Sequence, residues 1–377
     1  MTGHGTRLAE IISAFASARR RRKPGDYLFR VGDTFHFFYV LSEGFAKSCY
    51  VTEDGRERTT GVHLRGDILG MDAIATATHG CDAIALDACE VLTAGVMGSR
   101  RHINLPGVKV NLPPLTAKDL ADVAVGAELH VDFVALSFCR EPGDVEVLRK
   151  VLHEHGSQAR IVAKIEDQLA VKNIHAIIDT TDVIMVARGD LGIECPMEEL
   201  PIIQRRIVKR CLVKGVPVIV ATHMLESMIT NPVPTRAEIT DVANAVFEQA
   251  DCVMLSGETT VGKYPVKCVE VLHKVAERIE HSGGAGFAEE ALLEDDRKKT
   301  VRSAVTLANS LPGAKLIVFT RRGTMADYVS NLRPHAPIYA FAPTFEVCRR
   351  LTANWGTFPH NLAFDPNPNR TISAAVN

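Results

Sequence analysis

The pattern of hydrophobic and polar positions changes near residue 97. Before that point, short apolar or alternating runs at residues 27–31, 37–41 and 46–52 are each followed by a turn containing glycine. Strands repeated about every 8–12 residues with glycine turns predict a small antiparallel β-roll. A short amphipathic helix is predicted ahead of it, over residues 7–18.

After residue 97, apolar runs alternate with helical stretches, which is the pattern of parallel β/α units. The predicted strands are residues 131–138, 160–165, 183–187, 216–221 and 252–255. The predicted helices between them are residues 141–154, 169–178, 197–214 and 236–249. Because active sites of parallel β/α barrels lie at the carboxyl ends of the strands, polar residues at those ends are the candidates for chemistry.

A closing helix is predicted over residues 265–281, followed by a glycine-rich linker at 282–286. A third unit then adds further α/β elements, with helices at 297–311 and 325–332 and strands at 315–320 and 338–342. The pattern therefore predicts a multidomain chain with an N-terminal β-roll at 1–97, a parallel β/α region at 98–286 and an α/β domain at 287–377.

Composition narrows the function classes. A net charge of −2 over 377 residues gives no overall basic field for nucleic acid or a membrane surface, and no apolar run is long enough for a transmembrane helix. The basic run Arg19–Lys23 follows the apolar run 11–18, which is the wrong order for a signal peptide, and it is interpreted as a solvated turn. Nine cysteines, with no Cys-x-x-Cys, indicate reduced thiols and a cytoplasmic location.

Charged residues follow two neighbouring predicted strands. Lys164 and Glu166 are two positions apart and therefore point to the same side, and Gly189 and Asp190 follow the next strand. Two carboxylates with a lysine suit a Mg²⁺ site that takes further ligands from a phosphorylated substrate. The alternative is a pair of salt bridges at strand ends.

The next two strands end in hydroxyl and carboxyl groups. Thr222, Ser256 and Glu258 could form a proton relay, or the two hydroxyls could simply cap the following helices. His223 alone carries little weight.

Together these segments resemble the pyruvate kinase family. The matching stretches lie at residues 104–107, 137–140, 163–166, 185–192, 221–228, 234–238, 241–246 and 254–259. The resemblance implies phosphoryl transfer from phosphoenolpyruvate to ADP, giving pyruvate and ATP, in a barrel that uses Mg²⁺ (or Mn²⁺) and K⁺.

The resemblance also implies roles for single residues. Lys164 would stabilise charge on the phosphoryl group and the enolate, and Glu166 and Asp190 would hold the divalent metal. The remaining assignments are a substrate-binding set of Arg188, Gly189, Asp190 and Thr222, an enolate-protonating set of Thr222, Ser256 and Glu258, and Ser137 near the K⁺ site.

The chain departs from the family pattern in ways that predict weak activity. Five of the eight barrel strands are present, and the three strands that carry a phosphate- and K⁺-binding cluster, together with most of the lid domain, are not found. Strands 131–138 and 252–255 are therefore expected at the two edges of an open sheet. The third domain is also expected to be shorter than in the family.

Residues 19–96 resemble the sensory β-roll of the CRP/FNR regulators. The resemblance rests on residues 24–28, 32–33, 39–44, 52–57 and 66–72, but residues 72–86 contain no arginine for a cyclic phosphate. No DNA-binding helix-turn-helix is recognised in the sequence, so nucleic acid is not an expected partner.

Three functions stay open at this point: a pyruvate kinase, a non-catalytic ligand-sensing fusion, and a gene-fusion artefact without native function. A candidate anion-binding loop is formed by residues Thr320, Arg321, Arg322, Gly323 and Thr324, with an ordinary solvated loop as the alternative. The resemblance to pyruvate kinases implies a sugar-phosphate effector at this loop. The expected partners are phosphoenolpyruvate, ADP or ATP, this effector and a second copy of the chain.

Overall fold

The protein is described from a computed structural model, which covers residues 16–52, 56–73, 76–94 and 113–376. The chain forms two compact units, residues 1–107 and 108–377. Most of the helix predicted at 7–18, and the matching stretch at residues 104–107, lie outside the described residues.

The N-terminal unit contains two antiparallel four-stranded sheets, which confirms the predicted β-roll. The strands are β1 Ala16–Arg22, β2 Tyr27–Phe29, β3 Phe38–Glu43, β4 Ala46–Val51, β5 Glu57–His63, β6 Ile68–Leu69, β7 Asp82–Ala85 and β8 Cys89–Ala94. Their orders are β1-β8-β3-β6 and β2-β7-β4-β5. Gly44 has φ +83°, and a Cβ there would lie 2.6 Å from the Ala88 carbonyl oxygen, so the turn after β3 requires glycine.

The basic run was predicted as a turn, and that prediction is wrong. Arg19–Arg22 belong to β1, which pairs with β8 at the edge of its sheet. The register sets Arg21 opposite Glu90, and Arg21 Nε lies 3.6 Å from Glu90 Oε2. Charged side chains are common on edge strands because they discourage pairing with other chains, so a run of arginines is compatible with a strand here.

The second unit is built on a parallel five-stranded sheet with the order β13-β12-β11-β10-β9. Its strands are β9 Phe133–Leu136, β10 Arg160–Ile165, β11 Val183–Ala187, β12 Val218–Ala221 and β13 Cys252–Met254. Its helices are α1 Ala117–Glu128, α2 Pro142–Glu154, α3 Gln168–Lys172, α4 Ile174–Thr180, α5 Arg188–Glu194, α6 Leu200–Lys214, α7 Arg236–Phe247, α8 Gly257–Thr260 and α9 Pro265–Glu280. Within residues 113–376 the sheet stays open, with β9 and β13 at its edges as predicted.

One face of this sheet and the surrounding helices form the largest hydrophobic core. Strand residues such as Ile161, Ile165 and Val186 are completely buried against helix residues such as Ile207 and Leu212. Burial of this apolar surface is the main stabilising term, and it fixes the register that aligns the carboxyl ends of the strands. None of the helices in the described ranges combines the length and apolar character needed to span a bilayer.

The C-terminal part is a parallel three-stranded sheet with four helices. The strands are β14 Leu316–Phe319, β15 Ile338–Ala342 and β16 Thr357–Asn361, in that order, and the helices are α10 Asp296–Ser310, α11 Thr324–Asn331, α12 Phe345–Leu351 and α13 Pro368–Val376. The sequence analysis missed α12, β16 and α13. β16 contains Pro359 and His360 and little apolar pattern, and its pairing with β15 decides its conformation.

Two ion pairs join this part to the five-stranded sheet. Arg333 Nη2 lies 2.7 Å from Asp251 Oδ2, and both side chains are almost fully buried (2% and 3% exposed). Arg160, at the start of β10, contacts Asp327 of α11 at 2.8 Å. The C-terminal sheet is therefore fixed to the amino-terminal ends of the barrel strands.

Candidate active site

The first group of site residues stands where β9 and β10 end. The parallel register sets Ala163 beside Leu136, so the next residues, Lys164 and Ser137, are neighbours. Lys164 Nζ donates a hydrogen bond to Ser137 Oγ (2.9 Å) and forms an ion pair with Glu166 Oε1 (2.7 Å). The structure therefore joins three of the predicted site residues in one row.

Glu166 is held firmly in this row. Its side chain is 1% exposed, and its second oxygen accepts a hydrogen bond from the Phe138 backbone N–H at 2.6 Å. Phe138 has φ +49°, a left-handed conformation that directs this N–H at the carboxylate and that costs about 1–2 kcal/mol for a residue with a Cβ. Lys164 remains 24% exposed, so a substrate can reach its ammonium.

The second group lies at the ends of β11 and β12. The Gly189 N–H donates to Thr222 Oγ1 (2.7 Å), and this hydroxyl donates to the Ala221 carbonyl (2.6 Å). Asp190 is partly buried in the first turn of α5. A Cβ added at Gly189 would meet Thr222 Oγ1 and His223 Nε2 at 3.5 and 3.6 Å, which are ordinary contact distances.

Arg188 points into the protein. Its guanidinium donates to Asp241 Oδ1 (2.6 Å) and to the Thr222 carbonyl (2.6 Å), and only 7% of the side chain is exposed. The sequence analysis placed Arg188 among the substrate-binding residues. In the structure these hydrogen bonds connect Arg188 to the Asp241 carboxylate and to the Thr222 backbone, and its role in substrate binding stays a prediction.

The third group surrounds Glu258. One carboxylate oxygen accepts from the Leu225 N–H (3.1 Å) and the other from the Ser256 N–H (2.7 Å), and the side chain is 2% exposed. The structure therefore brings Ser256 and Glu258 together. The Thr222 hydroxyl instead bonds to the Gly189 N–H and to the Ala221 carbonyl. Within residues 113–376, no direct hydrogen bond is found between this hydroxyl and Ser256 or Glu258, the other members of the predicted relay.

Sequence comparisons with known proteins match two ranges of the chain to one family. Residues 67–269 match the pyruvate kinase barrel domain, and residues 298–377 match the pyruvate kinase alpha/beta domain. Pyruvate kinase 2 of Synechocystis sp. is 40% identical over 298 residues, covering 78% of this chain and 50% of that protein. Pyruvate kinase isozyme G, chloroplastic, of Ricinus communis is 41% identical over 318 residues, covering 82% of this chain and 75% of that protein.

The chain belongs to the pyruvate kinase family. A match of 42% identity to the pyruvate kinase of Clostridium acetobutylicum covers 72% of this chain and 58% of that protein. The chain thus spans about half the length of several relatives that it matches.

The N-terminal unit carries a cyclic nucleotide-binding domain, which matches residues 19–95. This match overlaps the start of the barrel match at residue 67, whereas the sequence pattern set the boundary at 97 and the compact units divide after residue 107. Inside the segment that lacks arginine, Asp72 Oδ2 accepts from the Gly80 N–H (2.8 Å), and Asp72 Oδ1 lies 3.6 Å from His79 Nδ1. The expected lack of cyclic phosphate binding stays a prediction.

Two carboxylates at the strand ends have the chemistry that a divalent cation prefers, and their role as its ligands stays a prediction. Glu166 and Asp190 supply hard carboxylate oxygens, and the ammonium of Lys164 occupies the Glu166 oxygen that such a cation would take over. No cluster of three or more potential protein ligands occurs in the described ranges, so most ligands would come from substrate and water, which is usual for Mg²⁺. When bound, the cation would act as a Lewis acid for the substrate oxygens.

A K⁺ site does not fit the described residues in the same way. Ser137 offers one hydroxyl oxygen, which already accepts a hydrogen bond from Lys164. K⁺ is held by several oxygens that replace its hydration shell, and a single hydroxyl beside an ammonium does not provide them.

Sequence reasoning did not find the polar residues behind the site. Gln204, Asp241 and Glu248 lie on α6, on α7 and directly after α7, and they contact Arg188 or each other. A usable signal was present, because Asp241 and Glu248 are seven positions apart and therefore share a helix face.

Proposed function

We propose that the barrel region acts on phosphoenolpyruvate and pyruvate. In this proposal it retains the half of the pyruvate kinase site that holds the divalent cation and the enolate, and it transfers the phosphoryl group to ADP much more slowly than full-length family members. The observation that carries the proposal is the row Ser137–Lys164–Glu166 at the carboxyl ends of two parallel strands.

The chemistry of the row suits an enolate. Phosphoryl transfer depends mainly on positioning and on stabilising charge, and an exposed ammonium beside a carboxylate that can take a metal provides both. The family resemblance assigns the substrate carboxylate to Gly189, Asp190 and Thr222. Since the Gly189 N–H already bonds to the Thr222 hydroxyl, substrate binding would exchange that bond for one to the ligand.

The described residues give little support for the other half of the reaction, which is the transfer of the phosphoryl group to ADP. β9 is an edge strand, and a cavity of about 350 Å³ lies along it, lined by β9 residues up to Ser137 and by α1. In a closed barrel the neighbouring strand would occupy this edge. Within residues 113–376 no strand pairs with this edge of β9, so in that range no strand there carries groups that assist the phosphoryl transfer, and this supports the slow turnover.

A binding experiment tests the proposal without requiring turnover. We expect the chain to bind Mn²⁺ by calorimetry, and to bind oxalate, a planar analogue of the enolate, only when Mn²⁺ is present. Glu166→Gln removes a charged ligand and should weaken Mn²⁺ binding about 10–100-fold. Asp179→Asn, which alters an exposed pair with Lys214, is the matched control and should change little. Equal Mn²⁺ affinity in the two variants would contradict the proposed metal site.

A regulatory role is the second candidate, favoured by the cyclic nucleotide-binding domain and by the effector loop. In that loop Thr320 is buried, its hydroxyl accepts from the Gly323 N–H (3.0 Å), and Gly323 has φ +97°. Arg321 and Arg322 are exposed immediately before α11.

We expect fructose 1,6-bisphosphate, used as a sugar-phosphate probe, to release heat on binding to the chain. The double variant Arg321→Ala, Arg322→Ala should lose at least about tenfold in affinity, because charge-assisted hydrogen bonds to phosphate would be removed. Arg370→Ala, at an exposed arginine of α13, serves as control. No heat with the unchanged chain would leave the loop as an ordinary solvated connection.

The cytoplasmic location and the homo-oligomer stay predictions, as does the absence of nucleic acid and membrane partners.

A further inference from the structure

Two consecutive residues of the site have an unfavourable backbone. Thr222 has φ +70° and His223 has φ +54°, both in the left-handed region that residues with a Cβ rarely adopt. The cost of one such residue corresponds to about 5–30-fold in an equilibrium constant. Strain of this kind persists only where surrounding contacts enforce it, and here it lies at the residues assigned to the substrate carboxylate.

Arg188 supplies the contacts that enforce this turn. Its Nη2 donates to the Thr222 carbonyl at 2.6 Å, and its Nε lies 3.4 Å from the Ala221 carbonyl. The residue that follows it, Gly189, donates to the Thr222 hydroxyl. The Arg188 guanidinium therefore holds the carbonyl of Thr222, and the Gly189 N–H holds its side-chain hydroxyl.

The guanidinium is in turn fixed from behind by two helices. Its Nη1 contacts Asp241 Oδ1 on α7 (2.6 Å) and Gln204 Oε1 on α6 (3.4 Å). Gln204 Nε2 donates to Glu248 Oε2 (2.9 Å), and Glu248 also accepts from Arg205 Nε (3.0 Å). Gln204 and Glu248 are 2% and 0% exposed, so the hydrogen bond between them is shielded from water. A hydrogen bond is stronger in such surroundings than in water.

We infer that Asp241, backed by Gln204 and Glu248, is a positioning residue that acts through Arg188 to hold the Thr222–His223 turn in its left-handed conformation. This inference rests on the proposed function, because the turn matters for chemistry only if the site binds an enolate or a carboxylate. Asp241 does not touch the substrate. Its role is to make the turn rigid before the ligand arrives.

The inference separates the affinity for the anion from the affinity for the metal. Asp241→Asn keeps the shape and one acceptor oxygen but removes the charge that orients Arg188. The expected result is oxalate binding weakened about 5–30-fold in the presence of Mn²⁺. The Mn²⁺ affinity without oxalate should change less than about threefold, because Glu166 is held by Lys164 and by the Phe138 N–H and not by the turn.

A second substitution tests the backbone part of the inference. Glycine adopts φ +54° without a Cβ penalty, so His223→Gly should recover a large part of the oxalate affinity that Asp241→Asn loses. In the unchanged chain the same glycine should have a smaller effect, because Arg188 already enforces the turn. Glu290→Gln, in an exposed pair with Lys209, controls for the loss of a carboxylate elsewhere.

The cycle of Asp241→Asn, His223→Gly and the double variant decides the matter by calorimetry and by thermal unfolding. The inference would be overturned if Asp241→Asn lowered the Mn²⁺ affinity and the oxalate affinity equally. It would also be overturned if His223→Gly had the same effect in the unchanged chain and in Asp241→Asn. If the unchanged chain binds no oxalate, the proposed function fails. The melting temperatures still test the turn, since glycine should then raise the Tm of Asp241→Asn more than that of the unchanged chain.

Discussion

Purified protein is expected to convert phosphoenolpyruvate and ADP at least about 10²–10³-fold more slowly than full-length pyruvate kinases. Loss of one electrostatic donor from a site of this kind typically has an effect of that size. In the described residues the Ser137–Lys164–Glu166 row is in place, whereas β9 has an open edge where the resemblance would set further phosphate ligands. Losses within one cooperating set do not multiply, so the single-donor value is a lower bound.

The measurement is a coupled assay of pure protein with phosphoenolpyruvate, ADP, Mg²⁺ and K⁺. Lys164→Ala distinguishes the activity of this site from contamination, because the ammonium is the group that faces the developing charge. Turnover of several per second that disappears in Lys164→Ala would show that the open sheet does not limit the reaction.

The second large effect concerns the stability of the contact between the five-stranded sheet and the C-terminal sheet. Arg333→Met should lower the free energy of unfolding by about 3–5 kcal/mol, because it leaves the buried Asp251 carboxylate without its cation. Asp251 also accepts from the Val218 and Trp355 N–H groups, so it cannot turn towards water without breaking those bonds. Since domains have only about 5–15 kcal/mol of stability, the loss would be conspicuous.

Urea unfolding followed by circular dichroism measures this change. Arg370→Met removes a comparable arginine from an exposed pair with Asp365 (3.8 Å) and should change the unfolding free energy by no more than about 1 kcal/mol. If both variants unfold at the same urea concentration, the buried pair does not stabilise the contact in the way described.

Much of the barrel region could be predicted because its strands are continuous apolar runs. The bounds of β10 and β11 agree with the expected 160–165 and 183–187, and in the C-terminal sheet those of β15 agree with the expected 338–342. The grouping of Ser137, Lys164 and Glu166 was also accessible, since the carboxyl ends of neighbouring parallel strands meet at one edge.

Other features depend on partners distant in sequence. The direction of Arg188 follows from Asp241, 53 positions away, and the role of Glu258 as an acceptor follows from the Leu225 backbone, 33 positions away. Local pattern does not contain such information. The arginine run of β1 was misread for a similar reason, because pairing with β8 outweighs the low strand propensity of a charged segment.

The exchange of the methyl hydrogens of pyruvate with deuterium from the solvent tests the central claim most directly. Exchange requires stabilisation of the enolate and does not require phosphoryl transfer, so it isolates the half of the site that the structure supports. We predict Mg²⁺-dependent exchange, followed by proton NMR, that falls at least about tenfold in Lys164→Met and is unchanged in Glu290→Gln. Exchange no faster than in buffer, or equal rates in the unchanged chain and in Lys164→Met, would contradict the account.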